Sequence, residues 1–462
     1  MTSIYSARWV LPIISPMIRD GAVAVENSNI VAVGFQKDVF AKFPDLVPTD
    51  FGKAVILPGL VNAHSHLELT VMRGFLEREE NDFFAWLKRL TLARLAMSAE
   101  DLLVSATCGA IEAARAGVTC LGDASSAAEP AMKALQSVGL RGIVFQESFG
   151  PDAKLADENV AGLREQIAEL RSLEDALVRV GVSPHAPYSV SAPQLELISR
   201  LALDEHLPLM MHAAESQAEK LLMLEGQGAF AEGLKARGIA WQVPGISTIQ
   251  YLKRHGILET SPLFAHCINV DDADLDLIKQ SSAGIAHCPR SNAKLGHGRA
   301  PFAEFIAHGI NVGLGSDSVA SNNTCDILEE ARFATLLARL PSAAESFSGG
   351  LLPAGDPVGA EQSLFSATLG GARAMGRDDQ IGALASGMQA DLTVVSLNHM
   401  QQQPVRDPVD ALVFSSSASE VLLTMVAGKE IYRDGHVSGI DEREFRERLE
   451  QVRIKTDATT RM

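Results

Sequence analysis

From Leu57 onward the chain alternates short apolar runs, rich in β-branched residues, with longer amphipathic segments. That rhythm belongs to strand–helix repeats feeding a parallel sheet. Eight such runs recur. The first ends at His64-Ser65-His66, followed by runs over 118–123, 142–147, 179–185, 208–212, 262–266, 284–287 and 311–317. Helices are predicted between them over 99–116, 156–177 and 193–206. Eight repeats predict an α/β protein with a (β/α)₈ barrel, whose active site sits at the C-terminal ends of the strands.

The flanks carry a different pattern. Before Leu57, short apolar runs such as 21–25 and 30–33 alternate with turns, as in small antiparallel strands. After the barrel, 387–395 and 421–429 again read as strands. Pairing with the N-terminal ones makes a small β-sandwich domain from both chain ends. The expected division is therefore 1–56 and 381–440 for the β domain and 57–380 for the barrel, then 441–462, a charged helix over 441–453 ending in a loose tail.

Composition narrows the class. The 462 residues are 47% hydrophobic and 21% charged, ample for a large core. A net charge of −17 argues against nucleic-acid and anionic-membrane partners. The five cysteines are scattered without a close pair, as expected of free thiols in a reducing compartment. The start lacks a signal-peptide pattern and no apolar run reaches membrane-spanning length, so the expectation is a soluble cytoplasmic protein.

Candidate chemistry gathers at the strand ends. His64 and His66 are two apart, so an extended strand aims both imidazoles at one point. His212, His266 and Asp317 close three later runs. Any one alone is equally a hydrogen-bonded core histidine or a helix cap. Together at one rim of one barrel they make a metal site. Imidazole and carboxylate without thiolate suit one divalent ion, Zn²⁺ or alternatively Fe²⁺. Such an ion brings bound water towards deprotonation at neutral pH, and Asp317 is placed to take the proton. His266 either hydrogen-bonds the attacking oxygen or joins the ligands. Glu215, three residues after His212, is either a surface glutamate at a helix start or a proton shuttle that protonates a ring nitrogen and helps an amine leave as ammonia.

The segment 58–66, His212-Ala213-Ala214-Glu215, Ala265-His266-Cys267 and Gly315-Ser316-Asp317-Ser318 together resemble the amidohydrolase superfamily, within it the mononuclear adenine- and guanine-type deaminases. The resemblance implies that His64, His66, His212 and Asp317 hold the metal, and that Glu215, His266 and Asp317 move protons. The fourth run ends Ser183-Pro184-His185 without the lysine that bridges two metals in dinuclear members, which agrees with a single ion. By the same resemblance His185 contacts a purine, and a homodimer is expected.

Longer stretches, 66–70, 84–87, 244–252, 288–292 and 295–301, are similar to the aminodeoxyfutalosine deaminases of the alternative menaquinone route. That implies a purine nucleoside substrate bearing a benzoate. A benzoate calls for a cation, which Arg73 or Arg290 would supply, and Glu68 would accept ribose hydroxyls. The alternatives are deamination of methylthioadenosine or S-adenosylhomocysteine, and a triazine- or guanine-type aminohydrolase or chlorohydrolase. A non-catalytic scaffold should show gaps in the ligand set, and none is missing.

Overall fold

The computed structural model describes residues 2–340 and 358–459, so the 341–357 part of the expected barrel region and the last three residues of the expected tail lie outside the described residues. Five strands come first: β1 Thr2–Val10, β2 Ile18–Glu26, β3 Asn29–Phe35, β4 Thr49–Asp50 and β5 Ala54–Pro58. Eight follow at the expected runs: β6 Leu60–Ser65, β7 Val118–Ser125, β8 Arg141–Ser148, β9 Val178–Pro184, β10 Met210–Ala213, β11 Leu263–His266, β12 Gly284–His287 and β13 Asn311–Leu314. The chain returns to the first sheet with β14 Leu392–Ser396, β15 Val421–Val426, β16 Lys429–Arg433 and β17 His436–Val437.

β6 to β13 form one parallel sheet in the order β10-β11-β12-β13-β6-β7-β8-β9. It closes where Val182 of β9 donates to Pro208 O at 2.9 Å and bridges Leu209 beside β10. Helices cover the outside, so these strands are buried on both faces, which is why they read as continuous apolar runs. Val61, Cys120, Phe145, Met210 and Leu263 fill the interior, leaving a packed core rather than a pore. Helices Ala99–Arg115, Ala156–Arg171 and Ala192–Asp204 occupy the expected spans. The second stops short of 177 because the Asp175 carboxylate accepts the Leu177 and Val178 N–H groups, a turn that starts β9.

The chain ends share the other sheet, ordered β17-β16-β15-β14-β5-β1-β2-β3 with β4 on β1. β5 and β14 join them, pairing Leu57 with Thr393. A buried bidentate pair fastens this sheet to the barrel: Arg141 Nε and Nη2 donate to the two Asp391 oxygens at 2.9 and 3.0 Å.

The C-terminal helix runs Glu442–Thr459, which corrects the expected loose tail from Ile454. Val452 and Thr456 are buried, and Arg453 pairs with Asp457 one turn on, so packing and an i,i+4 ion pair carry the helix past Arg453. The cysteines are free thiols, all buried but the half-buried Cys108. No helix among the described residues is long and apolar enough to cross a membrane.

Candidate active site

The C-terminal ends of β6, β10 and β11 converge with the segment leaving β13. Asp317 N–H donates to His64 O at 2.9 Å, drawing that segment onto β6. Gly315 permits this approach, since a Cβ there would lie 2.9 Å from His64 Cβ. His64, His66 and His212 present ring nitrogens within 4.8 Å of one another. Asp317 Oδ1 stands 3.4 Å from His64 Nε2 and 3.5 Å from His66 Nε2.

Donor chemistry shows whether these groups fit a cation. His212 gives its Nδ1–H to His185 O at 2.9 Å, which fixes the tautomer and leaves a lone pair on Nε2. That lone pair faces His66 Nε2 at 3.3 Å. His64 Nε2 is fully buried without a hydrogen-bond partner. Burial, reinforced by neighbouring imidazoles, holds His66 down at about 4 and His212 well below the ordinary histidine range. Burial pushes the Asp317 carboxyl up, but the imidazoles, His64 first, more than offset it and keep it well below the usual carboxylate range. Neutral imidazoles aimed at one point with one carboxylate are what a divalent ion requires.

Glu147, His185 and His212 form a second group with ligand atoms equally close. It shares His212, whose single free nitrogen serves one ion only, so the two groups do not make a dinuclear centre.

Across from the histidines, Glu215 Oε1 lies 3.6 Å from His266 Nε2. Both side chains are buried, and burial followed by Asp317 and Glu219 raises the Glu215 carboxyl well above the usual range. His266 Nδ1 donates to Asn292 Oδ1 at 2.9 Å. Asp317 Oδ2 accepts from Ser291 Oγ at 2.5 Å and Ser321 Oγ at 3.0 Å. Ala214, His266 and Asp317 take positive φ values of 53°, 72° and 56°, a backbone conformation costly for side chains other than glycine.

These groups form the floor of a cavity of about 450 Å³. Its roof is the helix Phe83–Leu95, which turns Phe83, Leu87, Leu90 and Arg94 inward at helical spacing. Trp86, Phe149, Tyr188 and Phe230 add aromatic walls. His185 lines the cavity beside His212, with Nδ1 2.8 Å from Ser189 Oγ.

The expected substrate contacts divide. Glu68 reaches the wall, but its carboxylate already accepts Ser125 Oγ and the Ser126 and Ala127 N–H groups. Arg73 and Arg290 are corrected. The six residues Leu67–Met72 are all buried, so Arg73 emerges on the outer side and pairs with Glu112. Arg290 pairs with Glu329 and donates to Thr324 Oγ1, tying its own short helix to Ile327–Ala338.

Other polar groups of the cavity are ones the sequence reading missed. Arg94 and Arg237 line it, and Arg94 has no ion-pair partner among the described residues. Glu147, at the end of β8, accepts from Ser126 Oγ at 2.8 Å and leaves Oε1 buried and unpartnered. The strand-end rule that found Asp317 also picks out Glu147. Nothing in the local sequence separates Arg94 from other arginines.

Known proteins resemble the whole chain. The Amidohydrolase family model matches residues 55–431. A 5-methylthioadenosine/S-adenosylhomocysteine deaminase from Syntrophobacter fumaroxidans is 32% identical over 94% of this chain and 92% of its own. Among solved structures, an adenosine deaminase from Xanthomonas campestris with bound zinc superposes with a TM-score of 0.83 at 26% identity, covering 98% of each chain. A zinc-complexed atrazine chlorohydrolase from Arthrobacter aurescens TC1 superposes with a TM-score of 0.81 at 21% identity over 99% of each chain, a likeness of fold.

Proposed function

The chain belongs to the amidohydrolase family, and on that premise we propose that it is a metal-dependent hydrolytic deaminase of an adenine-type nucleoside. The observation that carries this reading is the juxtaposition of His64, His66, His212 and Asp317 with the Glu215–His266 pair at the floor of one cavity. His64, His66, His212 and Asp317 would hold one divalent ion. Zinc is favoured by the bound zinc of the Xanthomonas campestris neighbour.

Such an ion supplies the Lewis acidity that makes hydroxide available near neutral pH. The protein's own groups do the rest. Burial favours the protonated form of Glu215, which donates to the ring nitrogen beside the amino-bearing carbon as oxygen adds there. His266, steadied by Asn292, holds that oxygen by hydrogen bonding. Left as a carboxylate, Glu215 takes up the proton of the added hydroxyl and passes it to the amine, which leaves as ammonia while the carbon becomes a carbonyl. The aromatic walls shield the ring from water, and Glu147 and Arg94 face the sugar and what it carries.

The relatives' activity supports methylthioadenosine or S-adenosylhomocysteine as substrate ahead of aminodeoxyfutalosine. The free thiols support a cytoplasmic setting. Ammonia release should be measured for S-adenosylhomocysteine, methylthioadenosine, adenosine, aminodeoxyfutalosine and guanine. Turnover of the thioether nucleosides is expected, and Glu215→Gln should lose at least about 10²-fold in kcat with metal retained. Full activity in that variant rejects the shuttle, and exclusive turnover of aminodeoxyfutalosine reverses the substrate order.

A further inference from the structure

The stretch after β12, residues 288–298, reaches three side chains of the site at once. Ser291 binds Asp317, Asn292 binds His266, and His297 points Nε2 at Glu215 Oε1 from 3.5 Å. The reaction described above leaves His297 without a part. Its side chain is 6% exposed, yet Nε2 has no hydrogen-bond partner. Its backbone N–H is pinned to Asn292 O at 2.9 Å, which anchors the main chain that carries the ring.

Glu215 Oε1 therefore sits between two imidazoles, His266 at 3.6 Å and His297 at 3.5 Å. Its backbone is held separately, because Glu215 N–H donates to Glu219 Oε2 at 3.1 Å. What remains free is rotation of the carboxyl group, and a contact on each side restricts it. The other edge of His297 meets Phe83, with ring centroids 4.4 Å apart and planes at 84°. Phe83 opens the roof helix and lies over Trp86. Lys294, on the same stretch as His297, pairs with Glu77 and Glu80 just before that helix, at 3.0 and 3.1 Å.

We propose that His297 is a positioning residue for Glu215, linking the orientation of that carboxyl to the seating of the roof at Phe83. The inference rests on Glu215 being the proton shuttle. Reacting groups displaced by about 1 Å lose on the order of 10² in rate, so a loosened carboxyl should slow chemistry while ring binding and metal stay as they are. A purely space-filling histidine would show none of this.

The test compares His297→Phe, which keeps an aromatic ring against Phe83 without a donor, with His297→Gln, which restores one. With S-adenosylhomocysteine and methylthioadenosine, His297→Phe should lower kcat about tenfold to a hundredfold at unchanged KM and metal content. His297→Gln should recover most of that loss. Wild-type kcat in His297→Phe overturns the inference, as does a loss matched by lost metal, or a Gln variant no better than Phe. Glu215→Gln is assayed alongside. If it is inactive while His297→Phe is fully active, only the role of His297 fails; if it is active, the shuttle itself fails.

Discussion

Asn292 and His266 meet at 2.9 Å, carboxamide oxygen to ring Nδ1, with both side chains about 1% exposed. The contact fixes which imidazole nitrogen carries the proton and turns the other towards Glu215. Asn292→Ala should lower kcat/KM about tenfold to a hundredfold, with stoichiometric metal retained because His266 stands outside the triad His64, His66 and His212. Steady-state ammonia release beside a metal measurement checks this. Unchanged turnover would mean that His266 needs no orientation from its neighbour.

The strand ends and their histidines were legible in the sequence, because a parallel barrel leaves continuous apolar runs and sends every run's last residues to one rim. The groups that steady them were not. Asn292 and His266, like Ser291 and Asp317, are 26 residues apart, joined by packing rather than by any period. The positive φ of His266 and Asp317 is equally invisible, since neither is glycine. Arg73 and Arg94 look alike in sequence, and only the placement of the Phe83–Leu95 helix over the cavity decides which one faces in.

Arg94 brings a cation into a largely apolar cavity, and burial with Glu68 nearby raises the Glu147 carboxyl to about 8 against the pull of Arg94. A carboxylate on the substrate's distal group is the natural partner of such a guanidinium, at about 1.5–3 kcal/mol for a charge-assisted hydrogen bond. Arg94→Ala should therefore raise KM for S-adenosylhomocysteine about tenfold to a hundredfold and leave methylthioadenosine within about twofold. Arg73→Ala should move neither, because Arg73 pairs outside the cavity. Equal KM changes for both substrates in Arg94→Ala would show that Arg94 does not read the distal charge.

Glu330 predicts how stability varies with pH. It is fully buried in the helix Ile327–Ala338, and burial raises its carboxyl to about 8 although Arg290 and Asn322 favour the charged form. In the unfolded chain it titrates near 4.3. The folded protein thus keeps a proton that the unfolded chain releases. The stability this contributes is complete below about pH 4 and is lost as pH rises through 8. Glu330→Gln mimics the neutral carboxyl and can still accept from Asn322 Nδ2. Melting temperatures from pH 5.5 to 8.5 should fall in the parent protein and stay flatter in the variant. Parallel curves would place the ionised form in the fold.

Arg141 and Asp391 are 3% and 1% exposed and join the first residue of β8 to the small sheet, at the end of the barrel remote from the histidines. Asp391 also accepts the Ala427 N–H at 2.8 Å, so its removal strands that N–H together with both Arg141 donors. Asp391→Ala should cost about 3–5 kcal/mol, because Arg141 would be left as a buried, unpaired charge. Arg141→Met with Asp391→Leu removes both charges and should regain most of that stability. It should still fall short of the parent by about 1–3 kcal/mol, the penalty for the unpartnered Ala427 N–H. Because the pair lies far from the cavity, kcat and KM of folded protein should match the parent in both variants. Denaturant unfolding separates the outcomes: a double variant as unstable as Asp391→Ala would mean that β8 and the small sheet depend on the ion pair itself rather than on the avoidance of a lone charge.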